Sequence, residues 1–468
     1  MSSRVRSTTR QKKSRKAGRR GLRVIREQAA GIDLGSREHW VCCPGHSEQE
    51  PEVRTFGTTT PELEKLLKWL QAEGIESVAM EATGIYWIPP YELLESRGIE
   101  VVLVNARQLS HVPGRKTDML DCQWLQLLHS CGLLRGSFRP VESICQLRAL
   151  QRERANMVSE ATRAVQRMQK ALDQMNVQVH RALTDLTGKT GLRMVRAMVE
   201  GERDPYRLAA FRDNRCKKSE AQIAKYLTGN WRDEHLFNLK MALELYEKIQ
   251  DILAAYDQEI LHLLAELQVP ERAQLELPPH PNPAKEKAIR RRGEQPLRTA
   301  LWRFAGVDLT RIDGISAGTA QVILSEVGLD LQAFPSEKHF VSWLRLSPKT
   351  GFSAGKPLPK KNKGTGATRV AASLRMAALS LCHSSCALGA YFRRLARRKG
   401  GATAVFATAR KLASYIYRML RFGQDYVDEG AQAYEARFQQ KRLRSITSVA
   451  KQMGYQLVPL DHTVQVSG

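Results

Sequence analysis

No stretch of the chain approaches the ~18 consecutive apolar residues that a membrane-spanning helix requires, so no membrane span is expected. The basic N-terminal residues have no apolar stretch behind them, which argues against a secretory signal. The eight cysteines (Cys42, Cys43, Cys122, Cys131, Cys145, Cys216, Cys382 and Cys386) include no Cys-x-x-Cys pair, and Cys382 with Cys386 lacks a second ligand pair. A zinc site is therefore not expected, and free thiols in a reducing cytoplasm are. The most informative absence is that of acids. From Lys338 to Gln424 the chain carries 18 Lys/Arg and no Asp or Glu. A solvated surface ordinarily mixes both signs, so such a segment is best explained by a polyanionic partner, bound through phosphate neutralisation and counterion release. Solubility, or attraction to an anionic membrane, is the plainer alternative.

What is present points the same way. The net charge is +25 over 468 residues, and 42% hydrophobic content is enough for folded domains. Residues 1–27 hold eleven Lys/Arg and a single acid, Glu27, and read as a disordered basic arm. From Ala30 the pattern changes. Gly31-Ile-Asp-Leu-Gly reads as a short strand, with Trp40-Val-Cys-Cys and Val53-Arg-Thr-Phe able to pair with it. Thr60 is the expected cap of a helix with Pro61 in its first turn, Leu63, Leu66, Leu67 and Leu70 at helical spacing, and Gly74 at its end. Ser77 to Glu81 is a further strand, Tyr91 to Arg97 a helix, Val101 to Val104 a strand, and another helix starts near Asp118. The order β-β-β-α-β-α-β-α is that of an RNase H-like mixed sheet with helices on its faces.

The rest of the chain is expected to be mainly helical. Ile144, Leu147 and Leu150 begin one long helix, and Leu245, Ile249, Ile252, Tyr256, Ile260 and Leu264 mark the apolar stripe of another. Together they suggest an antiparallel hairpin or coiled coil, serving dimerisation. Gly188 to Tyr226, between them, has no clear pattern. The expected divisions are an arm (1–28), an RNase H-like, RuvC-like catalytic domain (29–140), a helical middle (141–268), a proline-rich linker (269–295), a basic domain (296–430) and a tail (431–468). In the basic domain, Ile312-Asp-Gly-Ile-Ser-Ala-Gly resembles a helix-hairpin-helix, whose backbone N–H groups grip a phosphate. A Gly-, Pro- and Lys-rich loop follows from Gly351 to Gly366, then two basic helices, Thr368–Cys382 and Ala402–Phe422.

The chemistry is carried by carboxylates. Asp33 lies in the first strand and Glu81 at the end of the fourth, strands that are central neighbours in this fold. Asp118 and Asp121 are three apart at a helix start and so share one face. Alone, Asp118 is an ordinary helix cap and Glu81 a polar strand end. Asp33, between Ile32 and Leu34 in a buried strand, is harder to dismiss, because an isolated buried carboxylate is costly. Four converging carboxylates repel unless cations lie between them, and an all-oxygen set suits Mg²⁺ or Mn²⁺. Such a site supports in-line phosphoryl transfer on nucleic acid. Spacing alone leaves nuclease, resolvase and transposase open.

Gly31-Ile-Asp-Leu-Gly, Met80-Glu-Ala-Thr-Gly and Lys116-Thr-Asp-Met-Leu-Asp resemble the motifs of DEDD transposases of insertion sequences. The C-terminal half agrees, through Ile312-Asp-Gly-Ile, Glu326-Val-Gly, Leu346-Ser-Pro-Lys-Thr-Gly-Phe-Ser-Ala-Gly and Arg375. The resemblance implies a RuvC-like domain followed by a transposase domain, and a site-specific recombinase that moves its own element. It further implies a structured guide (bridge) RNA pairing with donor and target DNA, a homodimer or dimer of dimers, and action in the bacterial cytoplasm at the nucleoid. It also implies a serine that attacks the phosphodiester and forms a covalent protein–DNA intermediate; by position this is Ser353, although the family's usual Ser-Gly reads Ser353-Ala354 here. Arg115 and Lys116 beside the acids, and Lys356, Lys360, Lys361, Lys363, Arg369 and Arg375 in the basic domain, are the candidate backbone contacts. Two other readings compete: a Holliday-junction-resolvase-like nuclease using water, and a protein that only binds nucleic acid.

Overall fold

The computed structural model describes residues 23–45, 51–82, 84–105, 118–347, 352–353, 356–357, 368–423 and 425–458. The chain divides between Arg139 and Pro140 into two compact units. Unit 1 follows the expected order: β1 (Ala29–Leu34), β2 (Glu38–Cys43), β3 (Glu52–Gly57), α1 (Thr60–Ala72), β4 (Ser77–Glu81), α2 (Ile88–Ser96), β5 (Glu100–Val104) and α3 (Asp118–Ser130). The strands form one mixed sheet in the order β3-β2-β1-β4-β5. β1 and β2, and β2 and β3, pair antiparallel, while β1, β4 and β5 run parallel. This architecture is consistent with an RNase H-like domain.

Side chains alternate across the sheet, so each face carries its own set. One face presents Ile32, Leu34, Val41, Val78, Met80 and Leu103 to Leu66, Leu67 and Leu70 of α1 and Leu94 of α2. Each such side chain, fully buried, contributes roughly 1.5–3 kcal/mol. On the opposite face, Ala79 and Val104 meet Leu125 of α3. Helix α1 is capped at Thr59, whose carbonyl accepts from the amides of Glu62 and Leu63 at 2.9 Å each. The cap is thus one residue earlier than the sequence suggests, because Thr59 keeps the extended backbone of a cap and Thr60 already turns with the helix.

Unit 2 is mainly helical. Its longest helices, α4 (Glu142–Gln174) and, beyond short helices that include α5 (Lys189–Val199), α6 (Pro205–Ala210) and α7 (Glu220–Leu227), α8 (Asp233–Glu266), run antiparallel. Arg154 of α4 pairs with Asp257 of α8, Ala161 packs with Ile249 and Leu253, and Met168 shares a core with Leu239 and Ala242. The buried stripe of α8 keeps Ile249, Ile260 and Leu264 of the expected one and departs from it elsewhere. Leu245 is 41% exposed, while Leu253 and Leu263 are buried. Steps of three and four fit two adjacent faces of such a helix, and only the partner decides between them. The segment without a clear pattern supplies Met194, Met198, Leu208 and Ile223 to the core at one end of this pair.

The proline-rich stretch contains α9 (Pro283–Arg291), followed by α10 (Gln295–Ala305), α11 (Ala317–Val327), α12 (Glu337–Trp343), the two-residue strands β6 (Phe352–Ser353) and β7 (Lys356–Pro357), α13 (Arg369–Ser380), α14 (Ala387–Lys399), α15 (Gly401–Phe422) and α16 (Gly430–Gln452). Far from being a bare connector, this stretch donates Glu286 to the buried Arg298 at 2.7 Å; Arg298 also grips Asp308 at 2.7 Å. Lys285 Nζ donates to the carbonyls of Thr310 and Ile312 at 2.5 and 2.9 Å. These bonds brace the Ile312–Ile315 hairpin from one side. Gly314, at φ +86°, has Ala377 O and Leu381 where a Cβ would stand, at 3.0 and 3.1 Å. That side of the hairpin is a packing surface on α13. Helix α16 lies where the sequence reading found only a tail. Its Tyr434 packs on Ala387 and Ala390 of α14, and the Arg394 guanidinium sits 3.7 Å from the Phe438 ring centre.

Candidate active site

Two of the acids of unit 1, Asp33 and Glu81, stand at the same end of one sheet face. β1 and β4 are hydrogen-bonded parallel neighbours, with Gly31 opposite Ala79 and Ile32 opposite Met80. One step further along that register stand Asp33 and Glu81, both on the face that α3 covers. Glu81 ends β4 and Asp33 is the last residue but one of β1, so both lie at the C-terminal ends of central parallel strands, the usual place for a ligand in an open α/β sheet. Both side chains are half-buried.

Helix α3 runs back across this face, antiparallel to β1. Near its C-terminal end, Gln126 Nε2 donates to Ala29 O at 3.2 Å and to Ser130 Oγ at 2.9 Å, and His129 Nε2 lies 2.9 Å from Ser77 Oγ at the start of β4. Its N-terminal end therefore lies towards Asp33 and Glu81. That end carries Asp118, the first residue of the helix, and Asp121 less than one turn later. The Asp118 side chain lies outside the described residues. Among the described residues, no group of three or more His, Cys, Asp or Glu is arranged to hold a metal ion.

The helix approaches the strand at backbone distance. A Cβ on Gly31 would stand 2.3 Å from Gln126 N and 2.5 Å from Cys122 O, the donor and acceptor positions of a single helical turn. Only glycine permits this contact. Cys42 lies across from Gly31 on β2. Its hydrogen bond to the Cys122 thiol, burial, and the charge of Asp33 all push the Cys122 thiol up and keep it protonated. Burial likewise pushes the Cys43 thiol up to about 12. Cys122 thus stays a thiol, and the oxygens of Asp33 and Glu81 are donors of the kind a hard divalent cation takes. His129, buried and close to Arg26, is pushed down to about 4 and stays neutral. Sequence reasoning gave none of Gly31, Cys122, Gln126 or His129 a role in the site, although Gly31 opens the Gly31-Ile-Asp-Leu-Gly motif. A signal for Gly31 was present in the small residues Ala29-Ala30-Gly31 of an otherwise bulky strand.

The segment that carries these acids is covered by a family comparison. A model of the DEDD transposases of the IS110 type matches residues 30–177. A second, for the transposase IS116/IS110/IS902 family, matches residues 307–393. The chain belongs to the DEDD-type insertion-sequence transposases. No curated protein matches it. A DEDD transposase is a DNA recombinase, and the family uses a divalent metal, in keeping with the oxygen donors of unit 1.

The transposase residues of unit 2 are placed as follows. Ser353 ends β6, its backbone paired with Lys356 of β7, so part of the expected loop is a small hairpin; the side chains of both lie outside the described residues. So do Arg115, Lys116, Lys360, Lys361 and Lys363. Arg369 is half exposed, with its Nε 3.8 Å from Glu326. Arg375 stacks over Phe406 at 5.3 Å. Glu326, from the Glu326-Val-Gly motif, is 10% exposed and acts as a hub. Arg152 bonds it through two nitrogens at 2.8 Å each, and Arg148 Nε lies 3.4 Å away. Beside it, Ile144 packs against the Cα of Gly328. The motif therefore docks the start of α4 onto α11. Among the described residues no helix is long and apolar enough to cross a membrane.

Proposed function

We propose that Asp33, Glu81, Asp118 and Asp121 hold Mg²⁺ or Mn²⁺, and that with Ser353 they cut and rejoin donor and target DNA under the guidance of a structured RNA. The observation that carries the site is the register: Asp33 and Glu81 stand side by side on one sheet face, at the end to which α3 brings its two aspartates. A bound cation would supply Lewis acidity at the scissile phosphate. The strands hold Asp33 and Glu81 in fixed relation, which lets them present such a cation to that phosphate without reorganisation. Ser353 Oγ bonds to phosphorus as the bond to the leaving sugar oxygen breaks, and the serine proton passes to that oxygen, leaving DNA covalently attached and a free sugar hydroxyl. A serine hydroxyl is a poor nucleophile unaided, so the two halves of the chain serve one reaction. Arg115, Lys116, Lys356, Lys360, Lys361, Lys363, Arg369 and Arg375 neutralise the nucleic-acid backbone, and the chain works as a homodimer or a dimer of dimers.

The experiment is to trap protein–DNA adducts on element-end DNA with the transcribed flanking RNA. The reading expects an adduct with the parent chain, none with Ser353→Ala, and none with either in EDTA. Free ends without adduct would place water in the serine's role, as in a resolvase-like nuclease. Cleavage indifferent to EDTA would remove the metal site altogether.

A further inference from the structure

The tightest contact around the acids is made by an atom that is absent, the Cβ of Gly31. Alternation places Gly31 on the same face of β1 as Asp33, two residues earlier. Where a side chain would rise, α3 presents the Cys122 carbonyl and the Gln126 amide, at 2.5 and 2.3 Å from the ideal Cβ position. These are backbone atoms of one helical turn and cannot rotate away as a side-chain tip can. The residues on the same face prepare the same approach: Ala29 stands two residues before Gly31, and Ala79 is its neighbour on β4. Gln126, 7% exposed, then ties the helix down through Ala29 O.

The consequence reaches the acids by geometry. Asp121 immediately precedes Cys122, and Asp118 lies one turn before Cys122. The contact at Gly31 therefore sets the height above the sheet of the turn that carries both. We infer that Gly31 is a positioning residue of the transposase, fixing the depth of α3 so that its aspartates reach the cation held by Asp33 and Glu81, with the Gln126 bond as the second point of the seat. Lifting α3 by the clearance a methyl group needs leaves all four carboxylates present but separates the two strand acids from the two helix acids. This inference rests on the metal-site reading above.

The test is equilibrium Mn²⁺ binding by electron paramagnetic resonance on the full chain, with thermal melting in parallel. The parent chain is expected to bind Mn²⁺ saturably and Asp33→Asn to lose it. Gly31→Ala is expected to weaken Mn²⁺ by about tenfold or more, the size of effect found when residues that orient metal ligands are disturbed. Gln126→Leu, which removes the tie without adding a clash, weakens it in the same direction by less, and keeps the test valid if Gly31→Ala does not fold. Leu66→Ala, in the core of the opposite face, is the control: it lowers the melting temperature but leaves Mn²⁺ affinity within twofold. Parent-like Mn²⁺ binding by a folded Gly31→Ala, or by Gln126→Leu if Gly31→Ala does not fold, would overturn the inference while leaving the metal site standing. An equal loss in Leu66→Ala would reduce Gly31 to a stability residue. A parent chain that binds no Mn²⁺ would remove the metal reading and this inference with it.

Discussion

The sheet of unit 1 is covered in two different ways. On one face, α1 and α2 interlock with it through large side chains: Ile32 and Met80 against Leu66, Leu67, Leu70 and Leu94. On the other, α3 meets β1 through Gly31 at backbone distance, with few large residues between them. Interlocked side chains can relax by changing rotamer, so that face supplies stability and tolerates small displacements. Backbone against backbone has no such slack, and that face is the one that carries Asp33 and Glu81. Stability and positional accuracy are thus assigned to opposite sides of the same five strands.

Substitutions on the two faces should separate these roles. The largest effect is expected at the acids: Asp33→Asn or Glu81→Gln lowers DNA strand cleavage by roughly three orders of magnitude, about 4 kcal/mol of barrier, with the melting temperature little changed. Cleavage assays and melting on the same preparations check this. Next, Leu66→Ala costs about 2–5 kcal/mol of stability, read by denaturant unfolding, and does not alter the metal concentration at half-maximal cleavage below the transition. In unit 2, Glu326→Ala removes the carboxylate that Arg152 bonds through two nitrogens and costs roughly 1.5–3 kcal/mol; Mn²⁺ binding stays at the parent level, since the change does not touch the sheet.

The smallest effect concerns pH. His129 is held down to about 4 from an ordinary 6.5, so between these values the unfolded chain takes up the proton more readily. Its contribution to stability is complete above pH 6.5 and is lost as pH falls towards 4. The melting temperature of the full chain is expected to drop over that window, and to drop less in His129→Gln. An identical decline in both would remove His129 from the account.

The order of elements in unit 1 was legible because its strands and helices are short, apolar and punctuated by glycine, and because Asp33 interrupts a buried strand. The placement of Asp33 beside Glu81 was legible from the strand order, and a carboxylate between Ile32 and Leu34 conflicts with its surroundings unless something binds it. What sequence could not show were contacts between elements. The stripe of α8 shifts from Leu245 to Leu253 and Leu263 because α4 selects the face. Glu326 reads as a motif letter until Arg148 and Arg152 are seen around it. Arg298 looks like one more basic residue in a basic chain, yet it is buried between Glu286 and Asp308. Helix α16 went unread because its anchor is the stacking of Arg394, Tyr434 and Phe438, which leaves no apolar period.

The central claim is that the cation lies between the ends of β1 and β4 and the start of α3. The direct measurement is to load the full chain with Fe²⁺, add ascorbate and peroxide, and map where hydroxyl radicals cut the polypeptide. Cuts clustered near residues 33, 81 and 118–121, suppressed by excess Mg²⁺ and absent in Asp33→Asn, are the predicted result. Cuts elsewhere, or a pattern unchanged by Asp33→Asn, would contradict it.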